Sequence, residues 1–220
     1  MEKRALIAEE FQKQSLWKGK IHFFETVTST NDLLLELAEQ GVSEGTIVIA
    51  DRQTGGRGQF HRPWSSPQGM GLWMSLLLRL PIETEIMRPL SQLGPVSLCD
   101  AFMKMGMSIS SLQIKPPNDL LIAGKKVAGV LVETRRGSAP FAVVGIGLNI
   151  TQSLEDFPPE LREKATSLAL AGFNNVDRNQ LVSILIQCFY ERYQEFQFDP
   201  QKLHEAWDAA CCCAAVEVKS

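Results

Sequence analysis

Between residues 21 and 150 the chain alternates short apolar runs with clusters of turn residues, and beyond residue 178 the apolar positions take up helical spacing. "HFFETVTST" reads as a strand entering a helix. In "STNDLLLELAEQG", Ser29 and Asp32 have capping-box spacing, Leu33, Leu34, Leu37 and Ala38 fall on one face, and Gly41 is a stop. "GTIVIADRQ" is a buried type of strand, and the near-continuous apolarity of "GMGLWMSLLLRL" predicts a long strand covered on both faces. Residues 88–105 predict a helix disturbed near its start by Pro95. Two apolar runs around Ala123-Gly124 carry a hairpin signature, and "FAVVGIGLNI" is a further strand ended by Asn149. Pro158-Pro159 marks a loop, and residues 178–196 and 200–210 read as amphipathic helices. Strands at the centre with helices around them predict an α+β fold with α/β-type layers, a mixed central β-sheet flanked by helices mainly on one face. Residues 1–20 form an expected N-terminal helical extension with a Leu6, Ile7, Phe11 seam, too short for a winged-helix or helix-turn-helix module.

With 220 residues and 45% hydrophobic content, the chain can bury one substantial core or a core plus a small appendage. A formal net charge of -3 argues against nucleic acid as the main partner, though local basic loops remain open. No apolar run reaches membrane-spanning length, and the N-terminus lacks a signal core. The five cysteines, Cys99, Cys188 and Cys211–Cys213, contain no Cys-x-x-Cys pair. The expectation is a reduced, soluble, cytoplasmic protein without a membrane partner.

Candidate chemistry is concentrated in "DRQTGGRGQFHRPW", which has three glycines, three arginines and one histidine at the end of a strand. No Gly-x4-Gly-Lys-Ser/Thr motif is present, and Gly56-x-Gly58 lacks the third glycine of a dinucleotide fingerprint. There is no Gly-x-Ser-x-Gly elbow and no His-Glu-x-x-His pair. His22, His61 and His204 are too scattered to indicate zinc. Successive glycines let backbone N–H groups converge on one anion, and Arg57 and Arg62 add charged contacts, so this loop is suited to a phosphate chain. Taken alone it also fits a solvated surface loop; its place at a strand end favours a ligand. Lys126 precedes a strand thinned by Gly129, and there it can neutralise a carboxylate meeting a phosphate. From that segment alone, a solvated strand end is the simpler reading of Lys126. In "GIGLN", Gly145 and Gly147 thin another buried strand before Asn149.

"TSTND", "RQTGGRGQFHRPWSSP", "GLWMSLLLRL", "KPPNDLLIAGKKVAGVLVE" and "VVGIGLNI" occur in an order and spacing that resemble the biotin protein ligases across residues 21–210. The resemblance implies a sheet like that of class II aminoacyl-tRNA synthetases. It implies ATP-dependent formation of biotinyl-5′-adenylate from biotin and MgATP, followed by transfer to a lysine of a biotin carboxyl carrier protein domain of a carboxylase. It also admits a homodimer. Position by position, Ser29, Thr30 and Gln53 resemble polar contacts to the biotin ureido ring. Gly56, Arg57 and Gly58 match the start of an adenylate-enclosing loop, Arg62 its later arginine, and Trp64 the tryptophan near the adenine. Asn118 and Asp119 match a turn associated with phosphates and Mg2+, with Asp119 the candidate metal ligand. Lys126 matches the lysine between biotin carboxylate and α-phosphate, and Arg57 joins it as a candidate catalytic residue. Gly129 matches a close approach to biotin, and Asn149 an ATP-side contact.

The resemblance also explains why so flexible and positive a loop ends a strand. Carboxylate attack on a phosphate sets anion against anion, which calls for positive charge and a dry enclosure. Three departures stand out. The family pattern Gly-Arg-Gly-Arg-x-Gly-Arg-x-Trp has Gln59 at its second arginine and His61 at a glycine. Lys-Trp-Pro-Asn-Asp becomes Lys115-Pro116-Pro117-Asn118-Asp119. Residues 211–220 are expected to be a remnant or first strand of a C-terminal barrel, with Val216 and Val218 alternating. The alternatives are a lipoate or octanoate transferase on the same scaffold, and a non-catalytic biotin- or adenylate-binding module.

Overall fold

The computed structural model describes residues 16–82, 86–107 and 112–212. The expected Leu6, Ile7, Phe11 helix and the Val216/Val218 strand lie outside the described residues. In chain order the elements are β1 (Ile21–Val27), α1 (Thr30–Glu39), β2 (Ile47–Gln53), β3 (Gly71–Leu78), α2 (Met87–Lys104), β4 (Leu112–Lys115), β5 (Asp119–Ile122), β6 (Lys125–Arg135), β7 (Phe141–Asn149), α3 (Arg178–Phe198) and α4 (Pro200–Cys212). The strands form one seven-stranded sheet in the order β1-β2-β3-β7-β6-β5-β4. β1 runs parallel to β2, which requires a crossover, and α1 supplies it. The β2–β3, β4–β5 and β5–β6 pairs are antiparallel. The fold is therefore the expected α+β type, a mixed sheet flanked by helices. The chain divides into two compact units, one of residues up to Met87 with Val130–Gly147, the other of Arg88–Gly129 with the residues from Leu148 onward.

In the first unit, α1 begins where Ser29 turns extended (φ −152°) and its hydroxyl accepts the Asp32 N–H at 3.3 Å. It ends at Gly41, whose φ of +87° suits a residue without Cβ. Leu34, Leu35 and Ala38 pack with Val48, Leu77, Phe141 and Val143. The expected face is shifted by one position. Leu35 is buried, while Leu33 and Leu37 sit at the half-buried margin, because four leucines make a stripe wider than one seam. All eight residues of β3 are buried, as its unbroken apolarity predicts, and Ser75 is the polar exception in that run.

In the second unit, α2 remains helical from Met87 to Lys104 with Pro95 inside it. The expected disturbance does not end the helix. Burial of Leu90, Leu93, Val96, Leu98 and Phe102 outweighs the backbone hydrogen bond that Pro95 cannot make. The hairpin falls where expected. Ala123 (φ +50°) and Gly124 (φ +76°) both lie in the left-handed region that a two-residue turn of the I′ type needs. The β4–β5 connection carries a cis Pro116–Pro117 bond. Asp177 caps α3 by accepting from the N–H groups of Asn179 and Gln180 at 2.8 and 3.2 Å.

Candidate functional site

In the first unit, the start of α1, the end of β2 and the middle of β3 bring polar side chains into a largely apolar interior. Gln53 Oε1 accepts the Thr30 N–H at 2.8 Å and lies 3.1 Å from the Thr30 hydroxyl, while Gln53 Nε2 donates to Ser66 Oγ at 2.9 Å. These contacts orient the Gln53 amide. Ser75 Oγ is 2.7 Å from Thr30 Oγ1 and 2.6 Å from Asn31 Oδ1, so its one proton lies between two acceptors. Asn31 Nδ2 donates to Glu133 Oε2 at 2.7 Å. Thr30, Asn31 and Ser75 are all buried, and such groups persist only when hydrogen-bonded. Thr30 and Gln53, expected at a biotin ring, thus belong to one small cluster, while the Ser29 hydroxyl, expected there too, caps α1.

The two glycines of "GIGLN" have a clear steric cause. A Cβ at Gly145 would lie 2.2 Å from Asn31 Oδ1, and one at Gly147 would lie 2.6 Å from Trp64 Nε1. β7 is therefore thinned to admit the Asn31 amide and the Trp64 indole.

The glycine–arginine loop closes on itself as a narrow hairpin. Trp64 N–H donates to Gly56 O at 2.9 Å, and Gly58 N–H to Arg62 O at 2.8 Å. A 3-10 turn over Gln59–His61 forms its tip, where Phe60 and His61 adopt φ of +57° and +56°. Phe60 is 83% exposed, and the Arg62 guanidinium lies 5.8 Å from its ring centre. The glycine in the family pattern at position 61 is accounted for, because that position is left-handed.

Arg57 at the loop base is held by two carboxylates. Its terminal nitrogens donate to Asp32 Oδ2 at 2.6 Å and Asp32 Oδ1 at 2.5 Å, and one of them reaches both Glu133 oxygens at 3.0 Å. The hydrogen bond to Asp32, with further help from Glu133, pushes the guanidinium pKa still higher against the opposing cost of burial.

In the second unit, Lys126 is fixed through its backbone. Its N–H donates to Lys164 O at 2.8 Å, and its carbonyl accepts from Thr166 N–H at 2.9 Å. Its Nζ lies 2.6 Å from Asp119 Oδ1. Gly129 stands directly opposite Asp119 in the β5–β6 ladder, and Asn118 is buried beside it in sequence. Asn149 Nδ2 donates to Thr166 O at 3.0 Å, and Asn149 Oδ1 accepts from Gln152 Nε2 at 3.1 Å. The strip from Lys164 to Thr166 therefore binds both Lys126 and Asn149. Among the described residues, no group of three or more His, Cys, Asp or Glu side chains is placed to hold a metal.

A shallow pocket of about 380 Å³ elsewhere in this unit is lined by Asp100, Met103, Lys104, Glu191, Arg192 and Glu195, and holds none of the expected site residues. Its charges are paired, Arg192 with Asp100 at 2.6 Å and Lys104 with Glu191 at 2.8 Å, so it reads as a solvated ion-pair face.

Sequence reasoning missed Asn31, Ser75, Glu133 and Gln152, and took Asp32 only for a capping residue. Ser75 had a signal, as a polar residue within eight buried strand positions. Glu133 had none, because it meets Arg57 across 76 positions of chain.

Comparison with known proteins agrees with the motif reading. Residues 23–150 match the biotin/lipoate A/B protein ligase family. The chain is 38% identical over 186 residues to the bifunctional ligase/repressor BirA of Bacillus subtilis, covering 82% of this chain and 57% of that protein. It therefore spans little more than half of that relative. It is 30% identical to the biotin–[acetyl-CoA-carboxylase] ligase of Mycobacterium tuberculosis, covering 85% of this chain and 68% of that protein. Among solved structures, the biotin protein ligase from Aquifex aeolicus in complex with biotin and ATP is similar at a TM-score of 0.70 and 32% identity, over 83% of this chain and 73% of that one. With more than half of its length matched by the family, this chain belongs to the biotin/lipoate A/B protein ligase family.

Proposed function

We propose that this chain is a biotin protein ligase, forming biotinyl-5′-AMP from biotin and MgATP and passing the biotinyl group to a lysine of a carrier domain of a carboxylase in the cytoplasm. The observation that carries the reading is Lys126, whose backbone is fixed on both sides and whose ammonium already holds a carboxylate at 2.6 Å. An ammonium so placed suits the meeting of biotin carboxylate and α-phosphate. In the first step a carboxylate oxygen bonds to the α-phosphorus and the bond to the bridging oxygen breaks, releasing pyrophosphate. In the second, the carrier lysine amine attacks the acyl carbon and AMP leaves, so the protein supplies no nucleophile of its own.

Ser29, Thr30, Gln53, Gly56, Arg57 and Gly129 are assigned to biotin. Gly58, Gln59, Arg62, Trp64, Asn118, Lys126 and Asn149 are assigned to the nucleotide, with Lys126 and Arg57 as the catalytic set. Mg2+ enters with ATP and neutralises phosphate charge, with Asp119 as the side chain to hold it. Octanoyl transfer would require a thiolate, and burial pushes the Cys188 thiol up, away from that form. Incubation with biotin, MgATP and a carrier domain, read by mass, tests the proposal. A biotinyl mass gain is expected; gain with lipoate or octanoate but not with biotin would overturn it.

A further inference from the structure

We propose that Asp32 and Glu133 are positioning residues that lock Arg57 as the anchor of the glycine–arginine loop, leaving anion contact to the residues beyond it. This inference rests on the function proposed above.

Four donor–acceptor contacts of 2.5–3.0 Å join one guanidinium to two carboxylates. The group of three carries a net charge of −1, which repels a phosphate. Asp32 sits in the first turn of α1 and Glu133 on β6, so Arg57 ties the loop to two regular elements at once. Arg57 itself lies between Gly56 and Gly58, the two residues whose backbones are bonded to Trp64 and Arg62. Fixing its side chain therefore fixes the base of the hairpin and confines motion to the tip at Gln59–His61. Glu133 also accepts from Asn31, which continues through Ser75 to Thr30 and Gln53. The loop anchor and the residues assigned to the biotin ring are thus links of one hydrogen-bonded chain.

The competing arrangement, with Arg57 on the phosphate, predicts the opposite sign. If the carboxylates only compete for Arg57, neutralising them frees its charge and tightens ATP. If they position it, neutralising them loosens the loop. The isosteric variants Asp32→Asn and Glu133→Gln separate these cases, and Asp32→Glu, which keeps the charge, should restore most of any loss. Loss of one hydrogen bond between charged groups corresponds to roughly tenfold or more in a local opening equilibrium. Amide exchange across residues 55–64 of the ligand-free protein should therefore accelerate about tenfold in Glu133→Gln, with exchange in β3 unchanged. In pyrophosphate-release kinetics, KM for ATP should rise with a smaller change in kcat. Adding Glu133→Gln to Arg57→Gln should cost little beyond Arg57→Gln alone. Unchanged loop exchange, or a lower KM for ATP, would overturn the proposal. Exchange is read without substrate, so a wild-type chain that releases no pyrophosphate would refute the ligase reading while leaving the anchor decided by exchange.

Discussion

Replacing Lys126 by alanine separates chemistry from folding. The backbone of Lys126 keeps its bonds to Lys164 and Thr166 whatever the side chain is, and its place between β5 and the 164–166 strip survives truncation. Truncation removes the ion pair with Asp119 in the ligand-free protein. Its lysine side chain is 32% exposed, and pairs that open to solvent contribute about 0–1 kcal/mol. Asp119, itself partly exposed, can turn to water. The loss in the transition state is larger, because charge builds up where carboxylate oxygen and α-phosphate oxygens approach in a site closed to water. Removing one preorganised partner of such charge costs about 2.7–4 kcal/mol, or roughly 100- to 1,000-fold in kcat. The assay is biotin-dependent pyrophosphate release, run alongside thermal unfolding. The expected result is a rate reduced by two to three orders of magnitude, as given by about 1.4 kcal/mol per decade, with a midpoint lowered by only a few degrees. A variant releasing pyrophosphate within about threefold of wild type would refute the role of Lys126 as the cation between two anions, since that corresponds to under about 0.7 kcal/mol.

Three further outcomes follow from particular residues. Gln59→Arg should slow dissociation of biotinyl-adenylate about fivefold and reduce stray labelling of bystander lysines, because a charged contact exceeds a neutral one by about 1 kcal/mol; equal dissociation rates would show that position 59 does not touch the phosphate. His61→Gly should favour the observed turn by up to about 1 kcal/mol, since φ of +56° burdens a residue with a Cβ; faster exchange of the Gly58 amide would contradict this. His22 titrates below an ordinary histidine, first because of burial and then through repulsion by Lys20. Its folded form takes up a proton less readily than the unfolded chain, so its contribution to stability is complete above the unfolded value of 6.5 and is lost as pH falls through the depressed folded value. Denaturant midpoints measured from pH 8 down to 5 should fall, and His22→Gln should flatten that dependence.

The elements legible in the sequence are those decided locally. Ser29 at a cap, Ala123-Gly124 in a hairpin and the apolar run of β3 each act through neighbours in the chain, and the structure places them as their chemistry requires. Elsewhere packing overrides a local preference. Pro95 weakens a helix in isolation, yet α2 passes through it because its buried face is long and apolar. Leu33 and Leu37, expected on the inner face, sit at its margin while Leu35 is buried, because leucines at 33, 34, 35 and 37 have no unique inward direction until a sheet is present to choose one.

The site divides along the same line, and Arg57 shows it most clearly. Its type and its place beside two glycines are readable as a cation at the start of an anion-binding loop. Whether that cation is available is a question about Asp32 and Glu133, which lie 25 and 76 positions away and declare nothing in their own local sequence. Lys126 differs, since the Asp119 carboxylate that it holds lies on the adjoining strand, is partly exposed and can yield to an incoming anion. Arg57 would have to surrender four contacts to two carboxylates to do likewise. Two cations equally prominent in the sequence are therefore unequal in the fold. The one beside a partly exposed carboxylate is the better candidate for meeting substrate, and the one held by two carboxylates is the better candidate for holding the loop.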